Sequence, residues 1–194
     1  MFQPFRKTGD TRGDYEQLLK TLESLLEEPS PKDPPSFFDS HSLASPHSLA
    51  TISNAVALLN WFLDRINWCG FYFFDGHRLT LGPFQGMPAC TSIELGKGVC
   101  GAAFDRRKPV IVDDVSRFPG HIACDPNSKS EIVVPLFAPG APLPSPDSTV
   151  VTSAPLGVLD VDSPEEGRFD TTDSYYLERF NRILAGRLRT SRLN

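Results

Sequence analysis

The sequence contains no long apolar run and no dense cluster of charge of one sign. None of its 194 residues belongs to an uninterrupted apolar stretch of about 18 residues, which a membrane-spanning helix needs. The amino terminus, MFQPFRKTGD, lacks the apolar segment of a secretory signal. Lysine and arginine form no basic patch and the net charge is −5, so we do not expect nucleic acid as a partner. We expect a cytoplasmic protein that binds small or neutral molecules and no membrane.

Cysteine is also scarce, with four residues, and no two of them form the close C-x-x-C pair that is typical of structural zinc sites. In a reducing compartment, such cysteines are core or reactive side chains more often than members of a disulfide framework. The composition is 40% hydrophobic and 22% charged, which is typical of a globular protein. The length suits one domain, which we assign to residues 1–194.

Hydrophobic periodicity predicts helices towards both ends of the chain and strands between them. Apolar residues at helical spacing predict helices over 15–28, 49–66 and about 172–189. Five further elements are predicted: a hairpin in NWCGFYFFDGHRLTLGPF, a short helix in GVCGAAFDRR, and strands in PVIVDDV, EIVVPLF and PLGVLDVD. A Pro/Ser-rich loop covers 29–48 and a Pro-rich insertion covers 138–154. The pattern predicts an α+β fold with a central antiparallel sheet flanked by helices.

Strand alternation assigns candidate side chains to faces of the predicted sheet. Trp68 and Tyr72 share one face, and Cys69 points to the other, where we interpret it as a small core residue. The two aromatic rings are either ordinary core or a wall for a ligand, and their spacing predicts a wall rather than a stack. Asp160 and Asp162 also share a face, as either a solvated surface or a pair that attracts a cationic group.

The segment HIACD places Cys124 among turn-forming residues, and three interpretations compete there. The thiol is packed in the core, or it binds zinc with His121 and with Cys90 or Cys100, or it is reactive and Cys90 or Cys100 resolves its oxidised form. The lack of a close cysteine pair disfavours zinc. Glu131 follows Cys124 by a few residues, and burial would raise its pKa, so that it could act as a general acid.

Five segments together resemble one known family. These are NWCGFYFF, LGPFQGMPACTSIELGKGVCGAAF, PVIVDDVSRFPGHIACD, SEIVVPLF and LGVLDVDSP. The chain resembles the free methionine-R-sulfoxide reductases, which are built on a GAF domain, from about residue 67 to residue 169, and its helices at both ends continue the likeness. Three features depart from the family pattern: the long loop 29–48, the insertion 138–154 and Cys69.

The resemblance implies a role for each candidate residue. Cys124 corresponds to the nucleophilic cysteine, and Cys90 and Cys100 correspond to resolving cysteines. Trp68 and Tyr72 correspond to the aromatic residues around the substrate methyl group. Glu131, Asp160 and Asp162 correspond to the acids that bind the sulfoxide oxygen and the amino group. The segment ELGKGVCG is a candidate for the substrate carboxylate. His121 has no assigned role.

The activity implied is reduction of free methionine-R-sulfoxide without a cofactor or metal. The Cys124 thiolate would attack the substrate sulfur and become a sulfenic acid, and Cys90 would then form a disulfide with it. Cys100 would be a second or relay partner, and which of the two cysteines dominates stays open. Thioredoxin is the expected reductant, and a homodimer is a further expectation. One alternative is a GAF domain that senses a small molecule without catalysis. The other is a redox sensor that uses the same cysteines without turning over a substrate.

Overall fold

A six-stranded antiparallel sheet forms the centre of the protein in the computed structural model, which describes residues 2–26, 46–120, 125–141 and 154–188. The strands are β1 (Trp68–Phe74), β2 (Arg78–Gln85), β3 (Ser92–Glu94), β4 (Val110–Val112), β5 (Ser130–Leu136) and β6 (Gly157–Ser163). Their spatial order is β3-β2-β1-β6-β5-β4, so the sheet has β1 and β6 at its centre. The predicted α+β fold with a central antiparallel sheet is confirmed.

Helices cover both faces of this sheet, but unequally. The helices are α1 (Thr11–Leu25), α2 (Pro46–Phe62), α3 (Gly98–Arg106) and α4 (Thr171–Arg187). The larger apolar cluster joins α1, α2 and α4 to one sheet face, which includes Cys69 and Phe71. The smaller cluster joins α3 to the opposite face, which includes Trp68 and Tyr72. The predicted alternation along β1 is therefore confirmed. None of the described helices combines the length and the apolar character needed to cross a membrane.

Several predicted helix ends were wrong by a few residues. Helix α1 begins at Thr11 and ends at Leu25, because Leu26 already has extended backbone angles (φ −91°, ψ 115°). Helix α2 ends at Phe62 instead of residue 66, shortly before Arg65 adopts a left-handed conformation (φ 59°). The hairpin turn and the short helix α3 lie where they were predicted.

The two proline-rich segments are only partly described. Residues 46–48 of the predicted loop 29–48 belong to α2, so the loop prediction was wrong there, and residues 29–45 lie outside the described residues. Most of the predicted insertion, residues 142–153, also lies outside them. Two short elements were missed, β3 and a 3-10 helix at Val115–Arg117, because three residues are too few to show a period.

A buried polar network connects the first helix to the last on the face away from Trp68. The Asp173 carboxylate accepts hydrogen bonds from the Tyr15 hydroxyl, from the Asp170 backbone N–H at 2.9 Å and from the Arg168 guanidinium at 3.2 Å. The Asp170 side chain in turn caps the start of α4 by accepting from the backbone N–H groups of Thr172 and Asp173. Asp173 thus fixes the amino end of α4 against α1.

Asp173→Ala should lower the free energy of unfolding by about 3 kcal/mol, because it leaves the buried Tyr15 hydroxyl without its acceptor and removes the carboxylate partner of Arg168. Asp64→Ala is the matched control: Asp64 also pairs with a cation, Lys7, but its side chain is 72% exposed, so we expect a loss of about 1 kcal/mol or less. Urea denaturation of both variants measures the difference. Equal losses for the two variants would contradict the importance assigned to the buried network.

Candidate functional site

The strand register assembles the candidate residues in two rows on the α3 face of the sheet. In the first row, Trp68 of β1 lies opposite Asp162 of β6, which lies opposite Glu131 of β5. In the next row, Gly70 lies opposite Asp160 in the same way. Side chains directly opposite one another in a sheet project to the same face. Pairing between distant parts of the chain therefore brings one aromatic ring and three carboxyl groups to one place.

Hydrogen bonds join two of these carboxyl groups, Asp160 and Glu131, to the thiol of Cys100. The Asp160 carboxylate accepts from the Cys100 thiol and from the Glu131 carboxyl group. Asp162 accepts from the side chain of Ser128. Glu131 and Asp160 are only 5% and 7% exposed, so this polar cluster is inside the protein and not on a solvated strand face.

Burial changes the acidity of each of these groups. Loss of hydration is the main cause that raises the pKa of Glu131 well above its usual range, and the charges of Asp160 and Asp162 raise it further. Loss of hydration also raises the pKa of Asp160 to about 6, although the hydrogen bonds from Cys100 and Glu131 oppose this rise. The pKa of Asp162 is raised by burial and by Asp160. The raised pKa of Glu131 thus favours a bound proton on this residue near neutral pH, and the pKa of Asp162 is shifted in the same direction.

One oxygen of this cluster lacks a hydrogen-bond donor. Asp160 Oδ1 is buried and has no partner among the residues that the structure describes. A buried carboxylate oxygen without a donor is unfavourable, since its lost hydration is not replaced. A cationic N–H group that entered the site would supply the missing donor, and a neutral apolar group would not.

The two aromatic side chains lie closer together than expected. The ring centroids of Trp68 and Tyr72 are 5.9 Å apart and the rings are inclined by 25°, so they stack, and the predicted separated wall is wrong. The rings lean towards each other over Gly70, where a Cβ atom would lie 2.7 Å from the Trp68 ring. A side chain at position 70 would therefore collide with the Trp68 ring and with Phe84, whose Cβ atom would be 2.4 Å away.

The same aromatic pair holds the segment that carries Cys90. The Trp68 indole N–H donates to the Met87 carbonyl at 3.1 Å, and the Tyr72 hydroxyl donates to the Cys90 carbonyl at 3.1 Å. Cys90 is half-buried and is disulfide-bonded. The structure thus brings Cys90 to the aromatic side of the carboxyl cluster, in an oxidised state.

Cys100 and Cys69 are free thiols in different surroundings. Cys100 projects from α3 into the carboxyl cluster, where burial and the neighbouring Asp160 and Glu131 raise its pKa well above the usual range. Cys69 lies on the opposite sheet face, where burial raises its pKa to about 12. Its side chain donates a weak hydrogen bond to the Val56 carbonyl, with sulfur and oxygen 3.8 Å apart. The environment of Cys69 is that of a core residue.

Cys124 and His121 lie outside the described residues, but the next residue along the chain, Asp125, is described and firmly held. The Asn67 amide donates to Asp125 Oδ2 at 2.9 Å and to the hydroxyl of Ser128 at 3.0 Å. This contribution of Asn67 was not predicted from the sequence. Its position directly before the aromatic strand, and the Asp-Pro-Asn turn, were the available signals.

Helix α3 begins beside the cluster, within the segment expected to bind a carboxylate. Lys97 precedes the helix without a side-chain cap, and Gly98 opens it with a positive φ of 61°. The Gly98 backbone N–H donates to the Gly120 carbonyl at 3.2 Å. The first turn of a helix offers backbone N–H groups and a partial positive charge, which suit an anion.

Comparison with known proteins agrees with this fold. Residues 50–185 match the family model described as GAF domain. The chain is 42% identical over 187 residues to protein YtsP of Bacillus subtilis, covering 95% of this chain and 96% of that protein. It is 46% identical over 131 residues to the free methionine-R-sulfoxide reductase of Escherichia coli, covering 68% of this chain and 72% of that protein.

A solved structure extends the likeness to nearly the whole chain. The structure of free methionine-R-sulfoxide reductase from Neisseria meningitidis, in complex with its substrate, matches with a TM-score of 0.77 at 34% identity. The match covers 99% of this chain and 98% of that one. The chain thus matches one family in both sequence and topology. It belongs to the GAF-domain family.

Proposed function

We propose that the protein reduces free methionine-R-sulfoxide to methionine with a cysteine thiol as the reductant. The observation that carries this proposal is the buried oxygen of Asp160, which has no partner in the described part of the chain and lies on the same sheet face as a stacked aromatic pair. Such a site suits a small molecule that has both a cationic amine and an apolar thioether-like end. The naming of relatives from Escherichia coli and Neisseria meningitidis as free methionine-R-sulfoxide reductases supports the same substrate.

In this proposal the site binds each part of the substrate by a different kind of contact. Asp160 and Asp162 hold the α-ammonium group, which a methionine residue within a peptide lacks. The methyl group lies against Trp68 and Tyr72, because contacts between sulfur-linked groups and aromatic rings are favourable. The backbone N–H groups at the start of α3 bind the carboxylate. A closed site for a zwitterion excludes protein substrates.

The proposed chemistry begins with the thiolate of Cys124, which attacks the sulfoxide sulfur. Glu131 delivers its proton to the sulfoxide oxygen, and this oxygen passes to the Cys124 sulfur as methionine leaves, so that Cys124 becomes a sulfenic acid. The thiol of Cys90 then attacks the sulfenic sulfur, water leaves and a disulfide forms. The disulfide-bonded state of Cys90 supports its role as the resolving cysteine. The burial and raised pKa of Cys100 make it a slower relay partner, because the thiolate is the attacking species.

Recycling and assembly are the remaining parts of the proposal. A thioredoxin-type dithiol would reduce the disulfide by exchange, in a cytoplasm that keeps thiols reduced. We also infer that the protein forms a homodimer, as the family resemblance implies. We also propose that the single domain extends over residues 1–194, beyond the family match at residues 50–185.

Cys124→Ser should lower kcat for free methionine-R-sulfoxide by roughly a thousandfold or more, because a serine hydroxyl cannot accept the sulfoxide oxygen as a sulfenic acid. The measurement is loss of the sulfoxide with dithiothreitol or thioredoxin as reductant. Cys69→Ser is the matched control, since Cys69 lies on the other face of the sheet, and it should keep its activity. Retained turnover in Cys124→Ser would disprove the nucleophile. A wild-type protein that binds the sulfoxide but never releases methionine would instead favour a sensor.

Asp160→Asn should raise KM for the free amino acid by roughly thirtyfold, which corresponds to about 2 kcal/mol for a hydrogen bond to a charged group. The same variant should discriminate less between free and N-acetylated methionine sulfoxide, because the acetyl derivative has no ammonium group. Asp113→Asn, at an exposed position, is the control and should leave KM unchanged. An unaltered preference for the free amino acid in Asp160→Asn would show that the ammonium is bound elsewhere.

Glu131→Gln should increase the stability of the ligand-free protein, and more so as pH rises. Because the pKa of Glu131 is raised in the folded protein, the folded state binds its proton more tightly than the unfolded state does. The free energy of unfolding therefore falls as pH rises from about 4 towards the raised value, by up to about 1.4 kcal/mol per pH unit. Glutamine does not titrate, so the variant avoids this loss.

Thermal denaturation at about pH 5 and about pH 8 measures the effect. Glu94→Gln, on an exposed edge position of β3, is the control and should follow the wild type at both pH values. If Glu131→Gln is destabilised equally at both pH values, Glu131 does not hold a proton in the folded protein.

A further inference from the structure

Three potential metal ligands from three different elements meet inside the carboxyl cluster. Cys100 Sγ, a carboxylate oxygen of Glu131 and a carboxylate oxygen of Asp160 all lie within 4.8 Å of one another, and all three residues are buried. They belong to α3, β5 and β6, so regular secondary structure and not a loop determines their separation. Ligands around a tetrahedral zinc ion lie about 3.4 Å apart, so a small inward movement would complete the coordination.

The hydrogen bonds within this group show how a cation could replace protons there. Asp160 accepts one hydrogen bond from the thiol of Cys100 and one from the carboxyl group of Glu131. The three groups therefore share two protons and carry one net negative charge. If both protons leave and one divalent cation enters, the net charge is the same. The exchange adds no net charge to the interior, which avoids the main cost of placing an ion there.

A second observation indicates that one atom of the group has an unused capacity to bind a cation. Asp160 is 7% exposed, and its Oδ1 atom finds no donor within the described part of the chain. Two hydrogen bonds already reach Asp160, yet this oxygen stays unsatisfied. A metal ion bound by the carboxylate would satisfy it.

We propose that Cys100, Glu131 and Asp160 form a binding site for one zinc-class divalent cation, with about two protons released on binding. A thiolate ligand selects Zn²⁺, Cd²⁺ or Co²⁺ over Mg²⁺ and Ca²⁺, which prefer oxygen ligands alone. Three protein ligands leave the fourth position to water. The cation is not a cofactor of the proposed reduction, since it would occupy the place assigned to the substrate ammonium. Binding of the cation does not depend on that reaction.

The test uses Co²⁺ as a spectroscopic probe and Zn²⁺ as the competitor, on the full-length chain. In a Cys90→Ser, Cys124→Ser background, Cys69 and Cys100 are the only thiols left in the sequence. We expect one equivalent of Co²⁺ to give the near-ultraviolet band of a thiolate ligand and the visible bands of tetrahedral coordination, and Zn²⁺ to remove both. A pH indicator in weak buffer should report about two protons released per Zn²⁺ bound.

Cys100→Ser and Cys69→Ser in that background form the matched pair, since both remove a buried free thiol, but Cys69 lies on the opposite face of the sheet from the cluster. We expect Cys100→Ser to abolish the thiolate band and weaken Zn²⁺ binding at least tenfold, and Cys69→Ser to change neither. Mg²⁺ should not compete. If the band persists in Cys100→Ser or disappears in Cys69→Ser, the assignment is wrong.

Glu131→Gln provides a second variant that should fold even if Cys100→Ser does not. It keeps the size of the side chain and removes one anionic ligand, so we expect Zn²⁺ affinity to fall at least tenfold and proton release to drop to about one. Unchanged affinity and unchanged proton release in this variant would overturn the proposal. No sulfoxide is present in these experiments, so a chain that binds Zn²⁺ but does not reduce methionine sulfoxide would contradict only the proposed reaction.

Discussion

Asp160 is a carboxylate inside the protein that is held by hydrogen bonds from a thiol and from a second carboxyl group. Glu131 beside it has a raised pKa, mainly because Glu131 is itself buried and further because the charge of Asp160 repels a second carboxylate charge. One oxygen of Asp160 also has no donor among the described residues. The acid expected at Glu131 and the attraction for a cation both follow from this one arrangement.

Such a cluster is unfavourable for folding, and the opposite face of the sheet provides the compensation. There, Phe71, Leu159 and Val161 are fully buried against the helices α1, α2 and α4. Burial of a large apolar side chain contributes about 1.5–3 kcal/mol, and this cluster contains many of them. The sheet thus has one face that stabilises the protein and one face whose polar groups remain incompletely satisfied, as is common where a ligand binds.

Much of this arrangement could be predicted from the sequence. Leucine spacing identified the helices, Asp75-Gly76 identified the hairpin, and alternation placed Trp68 and Tyr72 on one face and Cys69 on the other. The helix ends were less accurate, because Leu26 and Arg65 leave the helical conformation at positions that hydrophobic spacing does not mark. The stack over Gly70 was not predicted, since ring orientation depends on the space that surrounding strands leave.

The sequence by itself determined which side chains share a face of each strand, because alternation is a local property of the extended backbone. Only the tertiary structure decided that Trp68, Asp162 and Glu131 form one row, since that register depends on pairing between strands far apart in the chain. The same holds for the raised pKa of Glu131, which requires Asp160 beside it and water excluded from both. Acidity is a property of the folded surroundings, and those surroundings arise from long-range packing.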